Sequence, residues 1–332
     1  MPALFATLVT GVSLFVLLLT IAIVMVFMGD PVFPPQPALS VQDVAALQKR
    51  YMQVNPHQER IFTLKDGDHI SGRVFPGTSN TTVVLLHGVL SSSLEMNRTA
   101  GLMQKATGST VIAVDLRGHG KSSGHPGDLD HPGQYEEDVA EVIWQLRKNQ
   151  PDRHILLAGH SMGGGIALRY AVRSNLPPVD GFVLLAPHMG DRSPTTPRTS
   201  PNGSSAFIKV HVARTIGLKF LNVLHITPFN HLKTLHFNLP EGFPLRSYSF
   251  NAMVSMSPED TAKALQSVRA PLLVVVGSKD EAFVAAEYPP VVQKYSNGQV
   301  SIIEGAGHDG ILTDPRTFEA IARWTQSHLS AP

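Results

Sequence analysis

From residue 59 to the C-terminus the chain alternates between short aliphatic, β-branched runs and longer stretches of helical period. Residues 82–86, 111–114, 155–158, 182–185, 272–276 and 300–303 form the short runs. Apolar on both sides, they read as strands buried on both faces of a mostly parallel sheet. Residues 60–64 and 69–75 flank Asp66-Gly67-Asp68, a hairpin signal. Residues 93–107, 134–148, 162–174 and 315–330 carry the helical pattern. Strands alternating with helices of this length predict an α/β fold, a mostly parallel central sheet flanked by helices.

Two regions depart from that rhythm. Residues 3–28 are an uncharged apolar run of 26 residues, followed by the Pro-rich stretch of Pro31, Pro34, Pro35 and Pro37. About 20 helical residues cross a bilayer core, so the run predicts an N-terminal transmembrane helix on a stiff spacer. No basic n-region precedes it, which argues against a cleaved signal peptide. The first basic side chains, Lys49 and Arg50, lie far behind it, so the catalytic part is expected outside the cytoplasm. Residues 41–53 have the pattern of a short helix. The second departure is residues 188–258, which read as a helical cap with helices at 206–224 and 245–256. Between Arg192 and Pro240 the cap has six basic residues and no acidic one, interleaved with large apolar side chains. A lid facing anionic lipid has this composition. So does ordinary cap packing with a solvated basic face, and both readings stay open. The expected organisation is 1–30 anchor, 31–58 linker, 59–187 and 259–332 catalytic core, and 188–258 cap.

At 332 residues, with 43% hydrophobic and 16% charged residues, the chain holds ample material for a buried core. A formal net charge of +1 gives no electrostatic case for a nucleic-acid partner. The absence of cysteine removes disulfides, thiolate chemistry and Cys-based zinc sites. His119, His125 and His131 lie at a spacing with no zinc-ligand logic. No metal or organic cofactor is implied.

The chemistry centres on Gly159-His160-Ser161-Met162-Gly163-Gly164, directly after one predicted strand and directly before a helix. G-x-S-x-G in that setting places a serine hydroxyl on a strained turn above the sheet. Glycines permit the close approach, and the helix N-terminus faces the charge that would develop there. Such a serine needs a base, and the base an orienting acid, in the chain order Ser, acid, His. After the strand at 272–276 stands Gly277-Ser278-Lys279-Asp280, and after the strand at 300–303 stands Gly305-Ala306-Gly307-His308. These positions select Asp280 and His308, with Glu281 the nearest rival acid. The oxyanion donors are read as the backbone N–H groups of Met162, just after the serine, and of Val89 in His87-Gly88-Val89.

These landmarks, with Leu86-His87-Gly88 and Asp115-Leu116-Arg117-Gly118-His119-Gly120-Lys121-Ser122, resemble the monoacylglycerol lipase and lysophospholipase branch of the α/β-hydrolases. The resemblance runs over roughly residues 60–328 and fades between about 188 and 258. It implies an α/β-hydrolase fold and a serine hydrolase acting on carboxylic esters, with a small acyl-ester or lipid as substrate. A carbon–carbon bond hydrolase, a peptidase or a cofactor-free haloperoxidase would use the same triad. An epoxide hydrolase or dehalogenase would need Asp where Ser161 stands, and a non-catalytic binding module usually lacks a triad member. Arg117 is expected to hold loops together through its fork of donors and not to touch substrate.

Overall fold

The computed structural model describes residues 2–35, 55–198, 207–240 and 242–329. The expected helix at 41–53 and Pro37 lie outside them. The core is an eight-stranded sheet in the order β1-β2-β4-β3-β5-β6-β10-β11. Its strands are β1 (Gln58–Thr63), β2 (His69–Phe75), β3 (Thr81–Leu86), β4 (Thr110–Val114), β5 (His154–His160), β6 (Gly181–Leu185), β10 (Leu272–Gly277) and β11 (Gln299–Ile303). β2 runs antiparallel to both β1 and β4, and the remaining pairs are parallel. β3, β6 and β10 are buried along their whole length, consistent with their predominantly apolar sequences. The turn between β1 and β2 is closed by Leu64 N–H donating to Asp68 O at 2.8 Å, with Gly67 at φ +92°.

Helices α2 (Asn97–Thr107), α3 (Gln134–Asn149), α4 (Met162–Val172), α7 (Thr261–Ser267), α8 (Tyr288–Tyr295) and α9 (Pro315–Leu329) flank the sheet. In the central run β4-β3-β5-β6, Leu86 pairs with Gly159 and His160 with Leu185. The carboxyl ends of these strands therefore share one edge. Connections leave in opposite directions from β3 and β5, and that is where open α/β sheets form ligand crevices.

The cap differs from the helical reading. It contains a three-stranded antiparallel sheet, β7 (Ile208–Val210), β8 (Lys233–Phe237) and β9 (Ser247–Ser249), with α5 (Val212–Val223) and α6 (Phe250–Val254). The stretch expected as one helix from 206 starts as a strand, because residues 208–210 pair with 235–237. The stretch expected as a helix from 245 is β9 first, with Ser249 Oγ accepting Ala252 N–H to cap α6. Pairing across long sequence separation overrides local helical period here.

The N-terminal expectation requires correction. Residues Pro2–Val26 form helix α1, yet among the described residues no helix is long and apolar enough to cross a membrane. α1 lies against α5 of the cap. Its last turns dock on the cap. Ala22 and Val26 are buried in a cluster with Leu218, Leu221 and Phe250. Gly217 permits this approach, since a Cβ there would stand 2.6 Å from Ala22 O. Arg214 donates to Val26 O at 2.9 Å and to Met28 O at 2.8 Å, and pairs with Asp30. The single-pass anchor, the membrane contact through it and the extracytoplasmic placement fall together.

The same contacts bear on the basic cap. Lys209 donates to Val32 O at 2.7 Å, and Lys233 donates to Pro126 O at 2.9 Å. Three of the six basic residues, Lys209, Arg214 and Lys233, thus hold segments of the protein together, as the packing alternative requires.

Candidate active site

Ser161 sits between β5 and α4 at φ +52° and ψ −113°, a conformation that costs a non-glycine residue about 1–3 kcal/mol. Backbone bonds over-determine it. Ser161 N–H donates to Leu185 O at 2.9 Å, and its carbonyl accepts Gly165 N–H at 3.0 Å and His188 N–H at 2.9 Å. The motif's glycines have steric reasons. A Cβ at Gly159 would stand 2.3 Å from the Gly163 backbone, and one at Gly163 would stand 2.6 Å from Leu86 O. Contacts below 3 Å force the backbone to shift, so only glycine lets α4 begin this close to β3 and β5.

Asp280 follows β10 and His308 follows β11. His308 Nδ1–H donates to Asp280 Oδ2 at 2.9 Å, and the Asp280 side chain is fully buried. The other carboxylate oxygen accepts Ala282 N–H at 2.9 Å and Phe283 N–H at 2.8 Å. These bonds fix the tautomer, leaving Nε2 of His308 as the basic nitrogen. The imidazole lies between two rings, His160 at 4.7 Å and Phe283 at 5.3 Å between centroids. In this conformation no hydrogen bond joins Ser161 Oγ to any described residue, His308 included. Catalytic contacts of ligand-free enzymes are often long and tighten on substrate.

The loop after β3 backs onto Ser161. A Cβ at Gly88 would stand 3.3 Å from Ser161 Cβ and 3.1 Å from His160 Nδ1. The N–H groups of Val89 and of Met162, at the start of α4, have no partner among the described residues. One of these donors is at the N-terminus of the helix that follows Ser161, and the other is in the loop packed against Ser161, groups of the kind that can receive an oxyanion.

Glu281 has a different task from Asp280. Its Oε2 accepts the backbone N–H of His308 at 2.9 Å. Asp309 is largely exposed and stands 3.8 Å from His160 Nε2. Arg117, nearly buried, clasps Asp138 with two bonds of 2.8 and 2.9 Å and also pairs with Asp66 and Asp68. It binds the β1–β2 turn to α3, as expected of a structural residue.

Sequence reasoning left His160 as the unassigned position of the motif. Burial, and then His308 beside it, push its ring down to about pKa 3, so it stays neutral. Its Nε2–H donates to His308 O at 3.3 Å. No sequence signal separates this histidine from the other fourteen. His160, His308 and Asp309 are the one group of potential metal-ligating side chains among the described residues. His308 Nδ1 and His160 Nε2 carry protons donated elsewhere, so this arrangement positions a base and does not present a ligand set.

Residues 77–228 match the family described as "Serine aminopeptidase, S33". That stretch holds Gly88 and Ser161 and ends before Asp280 and His308. The chain is 26% identical over 267 residues to a monoacylglycerol lipase of Mycolicibacterium smegmatis, covering 74% of this chain and 88% of the relative. It is 31% identical over 170 residues to the sn-1-specific diacylglycerol lipase ABHD11 of Xenopus laevis, about half of each protein. A crystal structure titled as a membrane phospholipase A superposes over 99% of both chains with a TM-score of 0.58 and 19% identity, a likeness of fold.

Proposed function

For an α/β-hydrolase of the monoacylglycerol lipase branch, which the family match and the relatives support, we propose a serine-dependent carboxylic ester hydrolysis through an acyl-enzyme. The proposed substrates are monoacylglycerol- or lysophospholipid-like esters. Ser161 Oγ attacks the acyl carbonyl as His308 Nε2 takes its proton. Asp280 holds the imidazole and stabilises the imidazolium that forms. The developing oxyanion lies against the N–H groups of Val89 and Met162. His308 then protonates the leaving alcohol, and the acyl group remains on Ser161. Water, deprotonated by His308, attacks the acyl-enzyme, releasing the acid and restoring Ser161.

The observation that carries this reading is the 2.9 Å bond between buried Asp280 and His308, set beside the strained Ser161 turn. The relatives support an ester-cleaving, lipase- or esterase-type hydrolase. The test pairs a fluorophosphonate label with substrates. Wild type should be labelled and Ser161→Ala should not. A p-nitrophenyl ester series of rising chain length, run beside monoacylglycerol and lysophospholipid, reads the substrate class. Labelling that survives Ser161→Ala, or no ester turned over, would overturn the proposal.

A further inference from the structure

Tyr248 belongs to β9 of the cap, but its fully buried hydroxyl ends in the loop after β3. It accepts Leu90 N–H at 2.7 Å and lies 3.0 Å from His119 Nε2. The direction of these bonds is fixed. His119 Nδ1 faces the carbonyl of Arg117 at 2.9 Å, and a carbonyl only accepts, so Nδ1 carries the proton. Burial keeps that ring neutral, so Nε2 is a lone pair and the Tyr248 O–H donates to it. The phenol therefore donates on one side and accepts on the other.

A second histidine holds the preceding peptide. His87 Nδ1–H donates to Gly88 O at 2.8 Å, while its Nε2 accepts Leu116 N–H at 3.1 Å. In a planar trans peptide the C=O and the following N–H point in opposite directions. With the Gly88 carbonyl turned to His87, the Val89 N–H points away from His87. The peptide after Val89 is held by Tyr248, and Leu90 adopts φ +59°, a left-handed conformation that a branched side chain takes only under restraint. Val89 thus stands between two clamped peptide planes, one held by the core and one by the cap.

β9 is itself seated on a core loop. Ser249 N–H donates to Gly127 O at 2.9 Å, and a Cβ at Gly127 would stand 2.3 Å from Ser247 O. Edge-on ring contacts continue outward, Tyr248 to Phe237 at 5.9 Å and Phe237 to half-exposed Phe207 at 5.8 Å. An unbroken path of packed groups runs from the cap surface to Val89.

We propose that Tyr248 is a positioning residue that couples the seating of the cap to the oxyanion hole, by fixing the peptide that follows the Val89 donor. The inference rests on the reading of Val89 as that donor. Unseating β9 frees the Leu90 N–H and lets the Val89 N–H turn from the substrate oxygen. Cap position thereby sets rate and not only access.

The test is Tyr248→Phe in the full chain, which keeps the ring and removes only the hydroxyl. Losing an oxyanion donor outright costs about 10²–10³ in kcat, so a misdirected one should cost about tenfold or more. The expected result is that fall in kcat on a small soluble ester, with KM changed less than about twofold and the melting temperature lowered by a few degrees at most, as two polar groups lose a partner. Val89→Pro deletes the donor itself, and adding Tyr248→Phe to it should then cost little more. Unchanged kcat in Tyr248→Phe overturns the coupling. So does a rise in KM in step with a lowered melting temperature, which is a structural defect. A fully active, folded Val89→Pro would instead refute Val89 as donor, and activity in Ser161→Ala would refute the serine mechanism, so the three failures are distinguishable.

Discussion

Glu281 Oε2 accepts the backbone N–H of His308 at 2.9 Å, while the neighbouring Asp280 takes the imidazole of the same residue at 2.9 Å. Two adjacent carboxylates thus hold one histidine by different handles. Gly307 lies against Glu281, and a Cβ there would stand 2.8 Å from Glu281 Oε2.

This division predicts unequal mutants. Asp280→Asn keeps the shape but disfavours the productive tautomer of His308, and should lower kcat by orders of magnitude. Glu281→Gln retains an oxygen acceptor for the His308 N–H and should lower kcat less than about tenfold. Steady-state kinetics on one soluble ester decides. A larger loss in Glu281→Gln would transfer the acid's role to Glu281.

Ser161 should be costly to stability as well as necessary for activity. Ser161→Ala keeps a Cβ at φ +52° and should be inactive with little change in stability. Ser161→Gly removes that conflict, worth about 1–3 kcal/mol, against about 0.5–1 kcal/mol of added chain entropy. It should be inactive and about 1 kcal/mol more stable. Urea denaturation of both variants measures the difference, and a destabilised Ser161→Gly would contradict the strain.

Arg117 is buried against Asp138, and removing it would leave a buried carboxylate without its partner. Arg117→Ala should cost about 3–5 kcal/mol. Protein that folds at low temperature should retain KM, because Arg117 faces the turn and α3 and not the serine. A KM effect without loss of stability would assign it to substrate binding.

Acid should weaken the fold through three buried histidines. Burial lowers the rings of His87 to about pKa 4 and of His119 and His160 to about 3, the last two also through neighbouring histidines. Unfolded histidines bind protons near pH 6.5. Stability is therefore fully present above that value and is lost as pH falls towards the folded pKa values. Each ring contributes a slope of up to about 1.4 kcal/mol per pH unit in that window. Denaturant midpoints compared at about pH 7.5 and about pH 5 should drop accordingly. Equal midpoints would mean that these rings are not held neutral.

The parts of this protein that its sequence determines are those decided over a few residues. Ser161, its glycines and the strand–turn–helix around it form one local unit, and the steric demands of Gly159 and Gly163 are written in the motif itself. The buried strands are legible because water exclusion on both faces requires unbroken aliphatic runs. Asp280 and His308 follow because each lies in the segment after a strand, β10 buried throughout and β11 at the sheet edge. The tertiary structure decided what depends on distant partners. Residues 208–210 became a strand because 235–237 lie beside them, and Tyr248 reaches Leu90 across 158 positions of sequence. An apolar helix carries no mark that separates docking from spanning, and the packing of Ala22 and Val26 on α5 exists only once the cap has folded. Local conformation and burial are governed by neighbouring residues, whereas the partner of a given N–H, carboxylate or apolar face is fixed only when the folded chain brings remote segments into contact.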